Sequence, residues 1–295
     1  MRILLTGKDG QVGFELQRAL APLGEIVAVG RHRCDLADAA AIRRLVAEVA
    51  PQVIVNAAAY TAVDKAEAEP EQAWAINGTA PGVLGQEAAR LGALVIHYST
   101  DYVFDGRKTG AYVESDAANP QSIYGKSKLA GEQALQQSGA DHLILRASWV
   151  FGAHGGNFAK TMLRLAAERE SLNIVADQFG APTSAALLAD VTAQVLGQFK
   201  RQGRAGFPCG LYHLAAGGNT SWHAYAQTVV RAALAAGKPL RLTADDVLPI
   251  TTAEYPLPAP RPANSRLDTS RLRQTFGLVL PDWQGGLDHV LQQIL

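Results

Sequence analysis

The sequence predicts an α/β protein, with a doubly wound parallel sheet of the Rossmann type and a smaller α/β lobe. Short apolar runs alternate with longer segments of helical period, as in successive βαβ units. The runs at residues 3–5 and 143–145 are apolar on both faces, which is typical of parallel strands covered by helices on each side. Ligands of such a sheet bind at the carboxyl ends of its strands.

The predicted strands, in chain order, are residues 2–6, 25–29, 53–57, 94–99 and 142–147, with a later run at 211–214 that returns to the sheet. Each is rich in β-branched or aliphatic residues and is bounded by glycine or polar residues. Segments of helical period separate them, among them 12–21 and 71–91, and a further helix is expected at 158–169.

Composition narrows the class of protein. With 295 residues, 48% of them hydrophobic, the chain can bury a substantial core. Its 27 basic and 27 acidic residues balance, so we expect no sequence-independent binding of nucleic acid. No apolar stretch has the length of a signal peptide core or a membrane span, so we expect a cytoplasmic protein with no membrane partner. Cys34 and Cys209 are too few for a disulfide framework or zinc cluster.

A glycine-rich turn follows the first strand and opens the first helix. Gly7, Gly10 and Gly13 let the backbone approach a pyrophosphate and direct helix amides toward it. The GxxGxxG spacing is weak evidence alone, but its position after a strand indicates a dinucleotide site. We therefore expect residues 1–150 to form an NAD(P)-binding domain, with a returning segment around 180–216. Residues 151–295 are expected to form mostly the substrate-binding lobe.

The end of the second strand bears on the choice of coenzyme. NAD sites usually carry an acidic residue there, which binds the adenosine ribose and repels an added phosphate. This chain has Gly30-Arg31-His32-Arg33 instead. Arg31 and Arg33 can hold a 2′-phosphate by charge-assisted hydrogen bonds, so we predict NADPH as the preferred coenzyme, with NADH possible. The alternative is that both arginines only solvate a surface turn.

Three residues predict carbonyl reduction. Tyr124 and Lys128 stand four residues apart at the start of a predicted helix, so their side chains share one face. The ammonium is expected to lower the pKa of the phenol and make it a better proton donor. Thr100 ends the fourth strand, where it can hydrogen-bond a substrate oxygen as charge develops. Hydride would pass from the nicotinamide to carbon, and a proton from Tyr124 to oxygen.

Two other polar residues are expected to have structural roles. His97 lies inside an apolar strand and is expected to be a core histidine or to support a neighbouring group. Asn77 is expected to organise a buried polar network.

Motifs along nearly the whole chain resemble those of the extended short-chain dehydrogenase/reductases. They are TGKDGQVG at 6–13, NAAAYTAVDKAE at 56–67, STDYVFDG at 99–106, NPQSIYGKSKLAGE at 119–132, LRASWVFG at 145–152, DQFGAPT at 177–183 and RPANSRLDTSRL at 261–272. The last three lie outside the generic cofactor signature and narrow the resemblance to enzymes that reduce nucleotide-linked sugars. The resemblance implies reduction of dTDP-4-dehydro-β-L-rhamnose to dTDP-L-rhamnose with NAD(P)H, for cell-surface polysaccharide such as the O-antigen of lipopolysaccharide.

The resemblance also implies the site residues. The catalytic residues would be Thr100, Tyr124 and Lys128. The last two would also contact the cofactor, together with Gln11, Val12, Asp35, Leu36, Ala59, Tyr60 and Thr61. The dTDP-sugar substrate would contact Thr100, Asp101 and Trp149, and charge and position add Arg261 and Arg266 as diphosphate partners. Some members of the family carry Mg²⁺ at a dimer contact. A homodimer is therefore possible here, but no cluster in this sequence is assignable to a metal.

Two alternatives remain open from the sequence. A related sugar-nucleotide epimerase or dehydratase shares the fold and motifs but recycles a tightly held NAD. A non-catalytic, NADP-binding regulatory subunit of methionine adenosyltransferase also resembles this chain. The intact set of Thr100, Tyr124 and Lys128 argues against the second alternative.

Overall fold

A six-stranded parallel sheet forms the centre of the computed structural model, which describes residues 1–295. The strands of the chain are β1 (Arg2–Thr6), β2 (Glu25–Val29), β3 (Val53–Asn56), β4 (Leu94–Thr100), β5 (His142–Ala147), β6 (Val150–Phe151), β7 (Leu172–Val175), β8 (Phe179–Gly180), β9 (Thr183–Ser184), β10 (Gly210–His213), β11 (Thr220–Ser221) and β12 (Val247–Ile250). The central sheet has the order β2-β1-β3-β4-β5-β10, with every pair parallel. This confirms the predicted doubly wound sheet, and each predicted strand of it agrees within one residue.

Helices cover both faces of this sheet. They are α1 (Gln11–Leu20), α2 (Ala39–Val49), α3 (Val63–Ala68), α4 (Pro70–Ala73), α5 (Ala80–Leu91), α6 (Ile123–Gln136), α7 (Phe158–Glu168), α8 (Ala185–Gln202), α9 (Trp222–Ala235), α10 (Ser270–Phe276) and α11 (Trp283–Ile294). A π-helical turn, Trp74–Thr79, joins α4 to α5. Side-chain caps fix several starts, such as Asp38 before α2 and Asn157 before α7. No helix combines the length and apolar character needed to cross a membrane.

The core consists of three main apolar clusters. One cluster packs α1, α8 and α10 on one face of the sheet, with Leu16 and Leu188 fully buried. The second packs α2 and α5 on the opposite face around Ile42 and Leu84. The third joins α7, α9 and α11 and takes no residue from the central sheet. The later part of the chain thus builds a core of its own and also returns α8, β10 and α10 to the sheet.

The strand order positions the functional crevice. The chain runs from β1 to its neighbour β2, and then crosses back to β3 on the other side of β1. Connections that leave in opposite directions open a crevice at the carboxyl ends of the strands. Polar residues stand at the ends of these mainly apolar strands: Thr6 on β1, Asn56 on β3 and Thr100 on β4.

Candidate active site

A cavity of about 710 Å³ opens at the carboxyl ends of the central strands. Its size is typical of a site for a cofactor or small ligand. Most of the residues that the sequence assigned to a site line it: Gly7, Gly10, Gln11, Val12, Arg31, Asp35, Leu36, Ala59, Thr61, Thr100, Asp101, Tyr124, Lys128 and Trp149. Gly13, Tyr60, Arg261 and Arg266 do not line it. One cavity therefore brings the glycine turn together with the tyrosine, lysine and threonine.

The glycine turn leaves room for an anionic ligand. Gly7 has a φ of +75°, and a Cβ there would lie 2.6 Å from the amide nitrogen of Ala58, so only glycine fits. Gly10 caps α1 without any side-chain hydrogen bond, which leaves the amides of the first turn available. Gly13 has a different role, because a Cβ there would lie 2.0 Å from the carbonyl oxygen of Gly7. It allows α1 to pack against the turn.

The two arginines after β2 differ in their surroundings. Arg31 lines the cavity and takes part in no hydrogen bond or ion pair. Arg33 lies outside the cavity, where its guanidinium pairs with Glu48 at 2.6 Å. Asp35 and Leu36 continue the cavity wall next to Arg31. The structure therefore brings only one of the two predicted phosphate ligands to the cavity.

A second loop encloses the glycine turn. Gly155 and Gly156 line the cavity, between β6 and α7. Asn157 donates from Nδ2 to Oε1 of Gln11 at 3.0 Å, and a ring nitrogen of His154 lies 3.0 Å from the carbonyl oxygen of Asp9. These glycines are not among the residues predicted from the sequence to form a site, although their adjacent positions in an irregular loop were a usable signal.

The start of α6 positions Tyr124. Ser122 caps the helix and accepts a hydrogen bond from the amide of Gly125 at 3.1 Å. A Cβ on Gly125 would lie 2.2 Å from the carbonyl oxygen of Tyr102, so glycine lets the helix approach the turn that follows β4. The rings of Tyr102 and Tyr124 meet edge to face, with centroids 5.5 Å apart. Tyr124 is thereby held in the cavity wall near Thr100.

Lys128 points toward β4. Its Nζ donates to the carbonyl oxygen of Tyr98 at 2.6 Å and lies 3.3 Å from Nε2 of His97. Burial lowers the pKa of Lys128 to about 8, against a smaller opposing effect of the Glu132 carboxylate. No hydrogen bond joins Lys128 to Tyr124.

The expectation that Lys128 acidifies the phenol is wrong. Burial raises the pKa of Tyr124 to about 12, and the neighbouring Thr100 hydroxyl only partly opposes it. The physical reason is that removal from water disfavours the phenolate, while the amine is directed into β4. The phenol therefore keeps its proton at neutral pH.

Asp101 is a buried carboxyl group beside the predicted catalytic residues. It is 2% exposed, and Thr100 donates to its Oδ1 at 3.1 Å. Burial raises the pKa of Asp101 to about 6, although hydroxyl groups of Ser265 and Thr100 oppose this. Its Oδ2 has no hydrogen-bond partner. A buried oxygen without a partner at a cavity wall indicates a contact that a ligand completes.

An aromatic wall faces these polar groups. Trp149 has a φ of +48°, which is a strained backbone conformation for a bulky residue. Strained conformations of this kind are found at functional sites. Its ring stacks on Trp222 with centroids 3.6 Å apart, and both line the cavity. A Cβ on Gly180 would lie 2.6 Å from the Trp149 ring, so glycine makes room for the indole. Sequence reasoning missed Trp222, which reads there as an ordinary helix residue.

Tyr60 turns away from the cavity. Its hydroxyl donates to Glu69 at 2.5 Å. Its backbone is fixed by Asn77, which accepts from the Tyr60 amide at 2.8 Å and donates to the Tyr60 carbonyl oxygen at 3.0 Å. Asn77 lies in the π-helical turn and also donates to Ser127 on α6. The backbone network around Asn77 agrees with the sequence-based expectation, whereas the Tyr60 side chain is not part of the cavity wall.

The two late arginines lie outside the main cavity. Arg261 forms a two-point ion pair with Asp64, at 2.8 and 2.6 Å, and lines a smaller pocket of about 200 Å³. Arg266 donates to the side-chain oxygen of Asn264 at 2.8 Å and to the carbonyl oxygen of Thr109 at 2.6 Å. Arg266 lines neither pocket, because these bonds hold it against Asn264 of its own loop and Thr109 of the segment between β4 and α6. The structure does not bring it to the position that the sequence suggested.

No group of three or more histidine, cysteine, aspartate or glutamate side chains is arranged to hold a metal ion. The site is instead composed of a glycine turn, a tyrosine and lysine on one helix, and a threonine at a strand end. This combination on a doubly wound sheet defines an NAD(P)-dependent oxidoreductase of the short-chain dehydrogenase/reductase class.

Comparisons narrow the class to one family. The family model for the RmlD substrate binding domain matches residues 1–295. A dTDP-4-dehydrorhamnose reductase of Shigella flexneri is 51% identical over 298 residues, covering 100% of this chain and 98% of the relative. The chain belongs to the dTDP-4-dehydrorhamnose reductase family.

Solved structures agree with this assignment. A dTDP-4-dehydrorhamnose reductase from Clostridium acetobutylicum superimposes with a TM-score of 0.91 at 35% identity, covering 100% of this chain and 99% of that chain. One from Bacillus anthracis, solved in complex with NADP, gives a TM-score of 0.88 at 33% identity and covers 99% of both chains.

Proposed function

We propose that this protein reduces the 4-keto group of dTDP-4-dehydro-β-L-rhamnose to give dTDP-L-rhamnose, with NADPH as the preferred coenzyme. The observation that carries the proposal is the convergence of Thr100, Tyr124 and Lys128 on the cavity that also contains the glycine turn. Membership of the reductase family over the full chain supports the choice of substrate. The product is expected to be made in the cytoplasm and to supply rhamnose for cell-surface polysaccharide.

The residues present fit a dinucleotide. The turn at Gly7 and Gly10 offers backbone amides and a helix N-terminus to a pyrophosphate. Arg31 offers an unpaired guanidinium to a 2′-phosphate, and no acidic side chain follows β2 directly to repel it. When bound, the coenzyme supplies the hydride. Tyr124 and Lys128 would contact its nicotinamide ribose.

Each catalytic side chain has a distinct proposed role. Thr100 hydrogen-bonds the substrate oxygen and stabilises the negative charge that develops there. Tyr124, which its raised pKa keeps protonated, donates its proton to that oxygen. Lys128 stabilises the phenolate that remains, and its charge becomes more favourable once that anion forms.

The sugar is proposed to lie between the catalytic residues and the aromatic wall. Asp101 would offer its unpartnered oxygen to a sugar hydroxyl, and Trp149 a flat apolar face. Arg261 remains a proposed diphosphate partner through the smaller pocket that it lines. We propose that the core of α7, α9 and α11 belongs to a substrate lobe, and that the central sheet with the returning segment forms the coenzyme domain.

The decisive experiment is a reductase assay with the ketosugar prepared by the preceding enzymes of the pathway. NADPH and NADH are supplied separately, and loss of the reduced nicotinamide is followed together with formation of dTDP-L-rhamnose. We expect one molecule of coenzyme to be consumed for each molecule of product, with a higher kcat/KM for NADPH.

NAD that stays bound through purification, without net consumption of coenzyme, would favour an epimerase or dehydratase. Recovery of a stoichiometric adenosyltransferase without reductase activity would favour a regulatory subunit. Sedimentation measures whether the protein forms a homodimer.

A further inference from the structure

A row of buried polar side chains crosses neighbouring strands of the sheet and ends at Lys128. Thr6, Asn56 and His97 are aligned partners in the pairing of β1 with β3 and of β3 with β4. Thr6 Oγ1 donates to Asn56 Oδ1 at 2.6 Å, and Asn56 Nδ2 lies 3.0 Å from His97 Nδ1. His97 Nε2 lies 3.3 Å from Lys128 Nζ. We call Thr6, Asn56, His97 and Lys128 the polar row, and each is at most 2% exposed.

The polar row is not needed to build the sheet. Neighbouring positions on the same strands are apolar and fully buried, such as Leu5, Val55 and Ile96. Apolar side chains often stabilise a core as well as or better than a satisfied polar network does. The row replaces apolar packing along the line that leads to Lys128, which indicates a role at that residue.

We propose that His97, oriented by Asn56 and Thr6, is a positioning residue that holds the Lys128 amine in the arrangement needed for the coenzyme and Tyr124. An ammonium group carries three hydrogens. The carbonyl oxygen of Tyr98 and the ring of His97 fix two directions around Nζ, which leaves the third for the cavity. The inference rests on the proposed function. It gives a role in that function to His97, which does not itself line the cavity.

The direction of the hydrogen bonds along the row is coupled to the charge of Lys128. When the Asn56 amide nitrogen faces Nδ1, it donates there, so a neutral imidazole carries its hydrogen on Nε2 and presents it to an uncharged amine. If the Asn56 amide turns over, every bond reverses and Nε2 accepts from an ammonium. The Thr6 hydroxyl can donate or accept and completes both patterns. The row therefore satisfies both protonation states of Lys128.

The charged groups around the amine fit this role. Burial and the Lys128 charge lower the pKa of His97 well below its usual value, so the imidazole stays neutral. Glu132, one turn along α6, is held by a two-point ion pair with Arg146 of β5, at 2.8 and 2.6 Å. Tyr124 and Asp101 line the cavity with Lys128. His97 is thus the titratable side chain of β4 that contacts the amine directly.

The test compares three variants. His97→Leu removes the polar partner of Lys128, whereas His97→Gln retains an amide that can accept or donate. His213→Gln is the matched control, because His213 is a fully buried histidine on β10, bonded to the Tyr112 carbonyl oxygen and outside the cavity. For each variant the pH profile of kcat/KM, the pH dependence of the NADPH dissociation constant and the melting temperature are measured.

A hydrogen bond from the ammonium to Nε2 is charge-assisted and therefore stronger than the bond from Nε2 to the uncharged amine. Loss of His97 thus disfavours the ammonium more than the amine, so the pKa of Lys128 falls and the alkaline limb of kcat/KM moves to lower pH. For His97→Leu we expect a displacement of about one pH unit and, near pH 8, roughly tenfold weaker NADPH binding. His97→Gln should restore most of the profile. The control should keep the wild-type profile even if its melting temperature falls.

An unchanged profile and NADPH affinity in His97→Leu would overturn the proposal, as would an equal displacement in the His213→Gln control. If His97→Leu does not fold, Asn56→Ala provides the second variant, because it removes the group that orients the imidazole. It should displace the alkaline limb of kcat/KM to lower pH by a smaller amount than His97→Leu. An alkaline limb that stays at the wild-type pH in Asn56→Ala would also overturn the proposal. If the wild-type protein binds NADPH but does not reduce the ketosugar, the proposed function fails, while the NADPH titration still tests His97.

Discussion

The unequal surroundings of Arg31 and Arg33 allow a sharp test of coenzyme choice. Arg31 lies at the cavity wall without any protein partner, whereas Arg33 is occupied by Glu48 outside the cavity. The pair is therefore a matched set of basic residues, two positions apart on the same turn. We predict that Arg31→Ala weakens the use of NADPH selectively and that Arg33→Ala does not.

The magnitude follows from the contact that is removed. A hydrogen bond to a charged group contributes about 1.5–3 kcal/mol, and the exposure of Arg31 favours the lower part of that range. A loss of about 2 kcal/mol corresponds to roughly a thirtyfold fall in kcat/KM for NADPH. NADH lacks the 2′-phosphate, so its kcat/KM should stay within about twofold of the wild-type value.

The assay is steady-state reduction of the ketosugar with each coenzyme, at low and high salt. Salt screens an exposed charge pair, so the proposed preference of the wild-type protein for NADPH should decrease as ionic strength rises. An equal loss with both coenzymes in Arg31→Ala would refute the reasoning, because it would indicate general damage to the site. So would a loss in Arg33→Ala as large as that in Arg31→Ala.

Three further predictions concern buried groups. Tyr124→Phe should abolish turnover but leave NADPH affinity nearly intact, as a binding titration beside the reductase assay will show. Asp101→Asn should stabilise the protein by up to about 3 kcal/mol at pH 8 and have little effect on its stability at pH 4, as measured by urea unfolding at both pH values. The same substitution should lower the activity. Burial raises the pKa of Asp101 from 3.8 to about 6, so ionisation costs stability only as the pH rises through that window. Glu132→Gln should cost about 3–5 kcal/mol in urea unfolding, because it leaves Arg146 buried without its ion-pair partner.

Each of these predictions has a clear contrary result. Tyr124→Phe that retains a substantial fraction of wild-type turnover would remove the phenol as the proton donor. Equal changes in stability at both pH values would show that ionisation of Asp101 is not the source of the effect. A loss below about 1 kcal/mol in Glu132→Gln would mean that the ion pair is replaced by solvent or a neighbouring group.

Local patterns sufficed for the sheet and the glycine turn. A parallel strand buried on both faces is recognisable from its own residues, and the spacing of Gly7, Gly10 and Gly13 after a strand is visible in the sequence itself. The difference between Arg31 and Arg33 was not accessible, because it depends on Glu48 at the end of another segment. Trp222 was not accessible either, since its contact with Trp149 joins elements that are far apart in the chain.

Strand register explains why the environment of Lys128 escaped sequence reasoning. The spacing of Tyr124 and Lys128 placed both side chains on one helix face, but it contained no information about the strand opposite. Pairing of β3 with β4 sets His97 beside Asn56 and beneath the helix, and this turns the amine away from the phenol. A register shift of one residue would have placed an apolar side chain there instead.

The raised pKa of Tyr124 changes the step that Lys128 serves. A phenol with a pKa of about 12 is protonated throughout the working range, so reduction begins with the proton already in place. The charge of Lys128 is then needed after transfer, when a buried phenolate would otherwise stand unpaired. Because the pKa of Lys128 is about 8, loss of activity at alkaline pH should follow the lysine and not the tyrosine. Burial of the amine would thereby set the upper pH limit of the enzyme.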